Sequence, residues 1–510
     1  MKKRIWMVLA FGLVGLVLVL ASPGPAIAQG GGTTLDNQEQ GGSEDLLSGF
    51  EDDSSEGSGE EDLESGFKEE EGEVLPGGSG ESVAEERIWS FGGFIRWDSA
   101  YNYAHDAPAP GQTDYRGLSK FRLALRLEME IKPGDAWEMF ASGQAFQDYV
   151  YNMRDQEYPE TVLDRHEKEG ELREAYFRVT PTSSLDITLG RQIVAWGKSD
   201  SIQVVDIINP LDFREPGLTD ISDMMLPVTL TKIDYYLGDW GFSAIAIHEV
   251  RFSKNPALGS DYNPVLGPPV LPIPVPPYMF PNPQYVEEEI PEDGGENTQY
   301  AVALNGFFTG WDLGFYWAQV FSEETHLEDI DSGPILNLRL VHSEITMTGL
   351  AVNVALGNWL LKSEAAQFKG YEFFNVPDRT FTRNDTMLGI EYSGLTDTTL
   401  SLEGVNRHWA GFDPKLELFP DSQAEDVNQY VFSYRGSFLR EALDLVAVLA
   451  YYGKNAEQGS LQRYSATYEL AEALDMTGGV VVYTPGEGEN FLLVNAQDND
   501  RVFLDMKWSF

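Results

Sequence analysis

The residues best suited to chemistry lie in a long stretch without a strand pattern, residues 196–226, and in the Gly190-Arg191-Gln192 segment before it. About 30 residues without secondary structure is long for a loop, and such loops usually have a function or form a plug. Charged side chains recur along the stretch, and charged rings set selectivity in pores. We predict a charged constriction formed by Arg191, Gln192, Trp196, Asp200, Asp206, Asn209, Pro210, Asp212, Arg214 and Glu215. A lid on the outer surface is the alternative.

Catalytic chemistry has little support in the sequence. The chain has no cysteine and its histidines form no pair at i, i+4, so a zinc site is not expected. No local motif marks a nucleophile beside a histidine. We expect no enzymatic activity, no metal and no cofactor. The six histidines are His105, His166, His248, His326, His342 and His408.

The elements that position these residues are β-strands. Short and long connections alternate along the chain, as in bacterial outer-membrane barrels with tight periplasmic turns and longer outer loops. The predicted fold class is all-β, a transmembrane antiparallel up-and-down β-barrel of about 18 strands, with 16 still possible. The candidate strands are 89–101, 117–131, 136–150, 170–180, 184–195, 227–237, 240–251, 298–308, 311–322, 345–356, 359–368, 384–394, 398–408, 428–437, 443–453, 461–472, 475–484 and 500–510.

The last strand shows the alternation most clearly. One face carries Val502, Leu504, Met506, Trp508 and Phe510, and the other is largely charged. A tilted strand of about ten residues crosses the hydrocarbon layer of a bilayer. The terminal aromatic resembles the closing strand of outer-membrane barrels, where it helps the assembly machinery recognise the chain. An edge strand of a soluble sandwich is the alternative.

Tryptophans mark one end of the predicted strands. Six of them fall at strand ends on the side of the short turns, where amphipathic rings would meet a membrane interface. In a soluble sandwich they should lie in mid-strand, within the core. The six are Trp89, Trp137, Trp240, Trp311, Trp359 and Trp508.

Strand parity also predicts which side chains face the lumen. Lys or Arg at mid-depth in lipid costs about 2–4 kcal/mol, so charged residues should point inward. The principal candidates are Lys120, Arg122, Arg126, Glu128, Arg178, Lys232, Asp234, Arg407, Arg435, Arg501, Asp505 and Lys507, and Lys362, Glu364, Glu391 and Glu403 follow the same rule. We expect most of them to pair with one another. Arg191 breaks the rule because it shares parity with Leu189, so we predict a β-bulge at Gly190 that returns it to the lumen.

The N-terminal part of the chain divides into two regions. Residues 1–28 have the basic start, apolar run and small-residue cleavage pattern of a signal peptide. Residues 29–87 hold 19 acidic residues against Lys68 and Arg87, a net charge of 2 − 19 = −17. Such a leader cannot bury enough apolar surface to order itself, so we predict that it is disordered and that residues 88–510 form the barrel. The whole chain carries −47, which argues against nucleic acid as a partner.

A short sequence motif occurs twice in the leader. Asp-Leu-x-Ser-Gly-Phe occurs at 45–50 and again at 62–67, with acidic residues around both copies. Low-complexity duplication is one interpretation. A two-copy linear motif is the other, in which Leu46, Phe50, Leu63 and Phe67 dock into an apolar groove of a partner and the tether raises the effective concentration.

Gly190-Arg191-Gln192, Trp196-Gly197 and Ile208-Asn209-Pro210-Leu211-Asp212 resemble the hallmark of a bacterial outer-membrane barrel family catalogued as domain of unknown function 1302. The resemblance covers roughly residues 88–510. It implies a barrel that is often encoded beside exporters of the resistance-nodulation-division type, and passage of an apolar or amphipathic cargo. It supplies no catalytic residues.

Three functions follow as expectations. The first is an outer-membrane channel or conduit for amphipathic or apolar molecules, coupled through the leader to an envelope export or lipid-transport machine. The second is a passive porin for small polar solutes, with cation preference set by the acidic constriction. The third is a plugged structural or adhesive barrel. In each case the location is the outer membrane of a Gram-negative bacterium with the leader in the periplasm, and the partners are outer-membrane lipid, the barrel-assembly machinery through Phe510, and a periplasmic or inner-membrane exporter component.

Overall fold

The structure is a computed structural model that describes residues 88–108, 113–134, 136–219, 224–263, 288–329, 338–418, 420–486, 493, 496 and 498–510. The signal peptide, the leader and its motif residues Leu46, Phe50, Leu63 and Phe67 lie outside the described residues.

The described chain forms one closed antiparallel sheet of eighteen strands, as predicted. Each strand pairs with its neighbours in sequence, and β1 pairs with β18 from Phe94↔Ser509 to Asn102↔Arg501. Closure leaves no unpaired edge, which a sheet within a bilayer requires. The strands are β1 Trp89–Asn102, β2 Gly117–Ile131, β3 Trp137–Asp148, β4 Lys168–Thr182, β5 Leu185–Gln192, β6 Val228–Leu237, β7 Trp240–Ile247, β8 Gln299–Phe308, β9 Trp311–Asp329, β10 Leu338–Leu356, β11 Trp359–Tyr371, β12 Phe381–Leu395, β13 Thr398–Ala410, β14 Asp426–Phe438, β15 Leu443–Tyr452, β16 Gly459–Ala471, β17 Leu474–Pro485 and β18 Arg501–Ser509.

Helical structure in the described residues is confined to short connecting segments. They are α1 Val150–Met153, α2 Glu160–Val162, a π-helical turn at Leu163–Glu167, and 3₁₀ turns at Gly295–Asn297 and Pro414–Glu417. None of the helices in this part of the chain has the length and apolar character needed to span a membrane.

The outer surface carries an apolar band. On β2, Leu123, Leu125, Leu127 and Met129 are all exposed at alternate positions. The six end-of-strand tryptophans are between 36% and 61% exposed, as expected for a girdle at the short-turn side. Farther from the short turns the outward positions become polar, where Gln367 donates to Asn384 across neighbouring strands.

Two local predictions were wrong. The β9–β10 hairpin is longer than expected, because both strands continue into the predicted 323–344 loop. The predicted bulge at Gly190 is also absent, since pairing with β4 and β6 is continuous through it. The nearest irregularity lies instead between β3 and β4, where the register shifts between Ala141 and Gly143.

Arg191 nevertheless leaves the apolar face. Gly190 has φ +133, which few residues other than glycine adopt, and a Cβ there would lie 2.2 Å from the carbonyl oxygen of Ala175. The Arg191 guanidinium pairs with Glu171, 3.3 Å away, and with Glu249. The unusual backbone conformation of Gly190, together with the carboxylates of Glu171 and Glu249, therefore keeps Arg191 off the lipid face without a β-bulge.

Candidate functional site: a loop inside the barrel

The connection between β5 and β6 enters the barrel, and we call its described residues, 193–219 and 224–227, the lumenal loop. The Trp196 ring lies 5.1 Å from that of Tyr316 on β9. Lys198 Nζ lies 3.0 Å from an oxygen of Asp312, the second residue of β9 at its short-turn end. The loop thus descends from the long-loop end of β5 almost to the mouth of the barrel at the short turns, instead of covering the long-loop end as a lid.

The loop then rises toward the opposite wall. The carbonyl of Pro216 accepts a hydrogen bond from the Tyr483 hydroxyl near the outer end of β17. Glu215 lies 2.8 Å from Lys120 on β2 and also pairs with Arg122. The lumenal loop therefore spans the lumen in both height and width.

Apolar side chains of the loop pack against the inner face of the barrel. Ile202, Val204 and Val205 are at most 2% exposed and join a buried cluster that includes Met347 on β10 and Val405 on β13. Further members of this cluster from the barrel wall include Phe368, Met387, Val431, Val448 and Leu461. The cluster includes residues of every strand from β6 to β18 and Ala100 of β1, so the hydrophobic core surrounds much of the lumenal loop and leaves out only β2–β5.

Two carboxylates of the wall hold the lowest part of the loop. Glu364 on β11 accepts hydrogen bonds from the backbone N–H groups of Lys198, Ser199 (2.9 Å) and Val205 (3.2 Å). Glu403 on β13 accepts from the N–H groups of Asp200 (3.0 Å) and Ser201 (2.9 Å) and from the Ser199 hydroxyl (2.7 Å). Both carboxylates are at most 2% exposed.

Cations of the same wall complete this contact. Lys362 on β11 pairs with Asp200 and lies 3.2 Å from Glu391. Arg407 on β13 donates to the carbonyl of Gln203 at 3.2 Å and approaches Asp385 at 3.5 Å.

The outer part of the loop contacts the charged wall. Burial opposes ionisation of Glu215, but Arg122, Lys120 and His166 outweigh it and hold the pKa of Glu215 well below its usual range. Nearby, Arg214 lies 2.6 Å from Asp212 and 2.7 Å from Glu169 on β4. The predicted acids Asp200, Asp212 and Glu215 are therefore each neutralised by a cation.

The asparagine and proline of the predicted motif fix the base of the loop. Asn209 accepts from the N–H of Val194 at 2.8 Å and donates to the carbonyl of Leu226 at 2.8 Å. The carbonyl of Pro210 accepts from the N–H of Leu226. Gln192, 6% exposed, donates to the carbonyl of Gly190 at 3.4 Å. Asn209 and Pro210 thus join the two ends of the loop, and Asn209 also lines one of the cavities beside it.

The predicted lumenal residues lie on the inner faces of their strands, and the structure separates them into three groups. Lys120, Arg122 and Arg407 bind the lumenal loop. Arg501 pairs with Asp261 of the β7–β8 connection at 2.9 Å. The others lie nearer the mouth at the short turns and include the pairs Lys232–Asp234 (3.0 Å), Arg126–Glu128 (4.0 Å) and Arg178–Glu138 (3.2 Å). Lys507 lies 5.3 Å from the Phe94 ring, and Arg435 and Asp505 are partly buried on β14 and β18.

Sequence reasoning placed Lys362, Glu364 and Glu403 inside the barrel but did not identify them as partners of the loop. Their parity is the same as that of several other lumenal charges, including Glu391. No signal in the sequence distinguishes a carboxylate that binds backbone N–H groups from one that pairs with lysine.

Two cavities flank the lumenal loop. The first is lined by charged residues of β1, β2 and β4, including Arg96, Lys120 and Arg173, together with Arg214 of the loop. The second lies between the loop and β9–β12 and is lined by Asp206, Phe368 and Arg383 among others. Across the described part of the chain, no group of three His, Asp or Glu side chains is arranged to hold a metal ion.

A family model described as "Protein of unknown function (DUF1302)" matches residues 110–510. No curated protein matches the chain. Among solved structures, the chain is similar to OccAB3 of Acinetobacter baumannii, with 12% identity, a TM-score of 0.48, and coverage of 83% of this chain and 99% of that one. It is also similar to OccAB2 of the same organism, with 11% identity, a TM-score of 0.46, and coverage of 83% and 98%. A third is a loop-deletion mutant of OmpT, an outer membrane protein of Vibrio cholerae, with 9% identity, a TM-score of 0.37, and coverage of 83% and 99%.

Proposed function

The chain belongs to the DUF1302 family, and we propose that it is an outer-membrane channel of a Gram-negative bacterium for small polar solutes. The solutes pass between the lumenal loop and the charged wall formed by β1–β4 and β18. The observation that carries the proposal is the division of the lumen. The apolar side chains of the loop belong to a cluster that has no member on β2–β5, and the charged side chains Arg96, Lys120 and Arg173 line the cavity between the loop and β1, β2 and β4.

The exterior supports the outer-membrane location. A closed sheet satisfies all its backbone groups internally, and its outward side chains form an apolar band bordered by exposed tryptophans. The short turns and both ends of the barrel domain lie on the tryptophan side, which we assign to the periplasm because bacterial barrels have tight periplasmic turns.

The pairing of the loop's acids bears on ion selectivity. Asp200, Asp212 and Glu215 are each paired with lysine or arginine, so they supply little net negative charge to the passage. We therefore expect weak selectivity in place of the cation preference that an unpaired acidic constriction would give.

Planar-bilayer recording of the purified mature protein tests this function. The wild-type protein should give small conductance steps, and a variant in which residues 197–206 are replaced by a short Gly-Ser linker should give larger ones. A salt gradient should produce a reversal potential close to zero. Folding of each variant is checked by its heat-modifiable migration on a denaturing gel. The absence of conductance in both folded proteins would refute the channel.

A conduit for amphipathic or apolar molecules is a second candidate. It is supported by the strip of apolar side chains on the inner wall beneath the loop, including Met347, Val405 and Val431, which displacement of the loop would uncover. Accumulation of a hydrophobic fluorescent probe in proteoliposomes, seen with the 197–206 replacement but not with wild-type protein, would favour this candidate. Equal accumulation in both would remove it.

Coupling to an export or lipid-transport machine through the leader also remains a proposal. Its support is the repeated motif, with Leu46, Phe50, Leu63 and Phe67 as the docking residues. Deleting both copies should abolish recovery of a partner from periplasmic extract, whereas deleting residues 53–59, which lie between the copies, should not. Unchanged recovery without the motifs would contradict the proposal. The absence of enzymatic activity likewise stays a prediction.

A further inference from the structure

We propose that Glu364 and Glu403 form a latch that holds the lumenal loop in its closed position, so that loss of their charge releases the lower loop. This regulatory role rests on the proposed channel function, because release of the loop matters only if the lumen conducts. We call residues 198–205 the tip of the loop.

The tip depends on these carboxylates for its backbone hydrogen bonds. The N–H groups of Lys198, Ser199, Asp200, Ser201 and Val205 all donate to Glu364 or Glu403. None of these five groups donates to a backbone carbonyl within the described residues. An unpaired buried N–H is costly, so loss of the two acceptors would destabilise the docked tip, although Ile202, Val204 and Val205 also hold it by burial.

The dependence is mutual. Both carboxylates are nearly inaccessible to solvent, and a buried carboxylate must be compensated by donors or by a cation. Lys362 supplies one nearby positive charge, but it pairs directly with Asp200 of the tip and with Glu391. The acids of the latch therefore depend chiefly on backbone and hydroxyl donors of the loop, and an outward movement of the tip would remove those donors together.

The barrel wall is shaped for this contact. Glu364 and Glu403 lie on β11 and β13, which flank β12. Between them β12 has Gly389, where a Cβ would lie 3.1 Å from Cγ of Glu403 and 3.2 Å from Cβ of Lys362. On β10, Gly349 lies so close to the tip that a Cβ would lie 2.6 Å from Cγ1 of Val205. Two glycines thus leave room for the latch side chains and for the loop.

The latch controls the tip and not the whole loop. The base is held separately by Asn209, which bonds both Val194 and Leu226, and the outer part by the Glu215 pairs with Lys120 and Arg122. Opening is therefore a local movement of residues 198–205 about two fixed points.

The test replaces the carboxylates by the isosteric amide in the double variant E364Q/E403Q. Each glutamine replaces one carboxylate oxygen by an NH₂ group, which cannot accept a hydrogen bond from the backbone N–H groups of the tip. The hydrogen bonds that remain are no longer made to a charged acceptor. A net loss equal to one charged hydrogen bond changes the equilibrium between docked and released tip by about tenfold. The matched control is E128Q, because Glu128 faces the lumen from β2, pairs with Arg126 at 4.0 Å and lies on the wall opposite the tip.

The first readout does not depend on conduction. The chain has no cysteine, so S201C introduces a single thiol at a position that is 2% exposed. Its rate of maleimide labelling in the folded barrel should be at least about tenfold faster with E364Q/E403Q than with wild-type carboxylates or with E128Q. Equal labelling rates would overturn the latch. If the double variant does not give a folded barrel, E403Q alone, which weakens or breaks three of the six hydrogen bonds to the carboxylates, provides the same comparison.

The second readout is conductance, which separates the latch from the proposed function. The double variant should open more often or more widely than wild type. If the 197–206 replacement conducts but the double variant matches wild type, the latch is wrong and the channel stands. If labelling accelerates but no variant conducts, the tip is released as proposed and the channel function fails.

Discussion

A disulfide between the tip of the lumenal loop and the barrel wall would test the position of the loop directly. The variant is V205C/G349C. A Cβ built on Gly349 of β10 lies 3.4 Å from Cβ of Val205, close to the Cβ–Cβ separation of about 3.8 Å that is usual in disulfides. Gly349 does not have a positive φ, so its backbone accepts a side chain. The chain has no other cysteine to compete.

The expected stabilisation follows from the size of the closed loop. The crosslink encloses residues 205–349. Closing a loop of this length lowers the conformational entropy of the unfolded chain, which raises the free energy of unfolding by about 5 kcal/mol. The temperature at which the barrel converts to its unfolded gel band should therefore be higher for the oxidised than for the reduced protein. Docking of the tip should also become insensitive to the latch, so that oxidation suppresses the extra conductance of E364Q/E403Q and reduction restores it.

Thiol counting provides the assay. After mild oxidation and denaturation, the variant should take up no polyethylene-glycol maleimide, and after reduction it should take up two. The control pair is V205C/A124C, because Ala124 lies on β2 across the lumen and should not reach the tip. If V205C/G349C keeps two reactive thiols after oxidation, Val205 does not lie against β10, and the account of a loop seated in the lumen is refuted.

Three further predictions concern the strand that leads into the loop, an outer loop and the C-terminus. Gly190→Ala should lower the yield of folded barrel, measured by heat-modifiable gel migration, because the new Cβ would lie 2.2 Å from the carbonyl oxygen of Ala175 at a φ of +133. The control Gly170→Ala should fold normally, because no atom lies within 4 Å of its new Cβ. Burial raises the pKa of Asp421 from 3.8 to about 6, and its carboxylate accepts two backbone N–H groups of the β11–β12 connection. Because the pKa of Asp421 is raised in the folded state, docking of that connection should be strongest below pH 3.8 and should weaken as the pH rises through 6. Hydrogen exchange of the connection, corrected for intrinsic rates, should show this loss of protection. The variant D421N should abolish the pH dependence. Phe510→Ala should reduce assembly into membranes in cells but leave refolding in detergent nearly unchanged, since the ring is 44% exposed and meets Phe91 and Trp508 at the surface of the barrel. An equal loss in both assays would assign the ring a structural role instead.

The sequence was sufficient for the architecture because the alternation that separates lipid from water is local. Ten residues such as 501–510 carry the whole pattern of one strand, and the tryptophans at strand ends mark the end of the barrel at which the short turns lie. Eighteen such segments and their alternating short and long connections predicted both the closed sheet and its strand number. The extension of β9 and β10 was missed because polar residues in a hairpin that projects beyond the membrane show no lipid-facing alternation.

The path of the lumenal loop was decided only by the tertiary structure. Ser199 reaches Glu403 across 204 positions of sequence, and Lys198 reaches Glu364 across 166. Parity places these glutamates in the lumen, but it does not distinguish them from Glu391, which binds lysine instead. In the same way, the sequence predicted that Arg191 must leave the lipid face. It did not predict how, because the φ of +133 at Gly190 in an unbroken ladder depends on the backbones of the two neighbouring strands. Which side a side chain faces is set by the alternation of its own strand, whereas which partner it meets there depends on how distant segments fill the enclosed space.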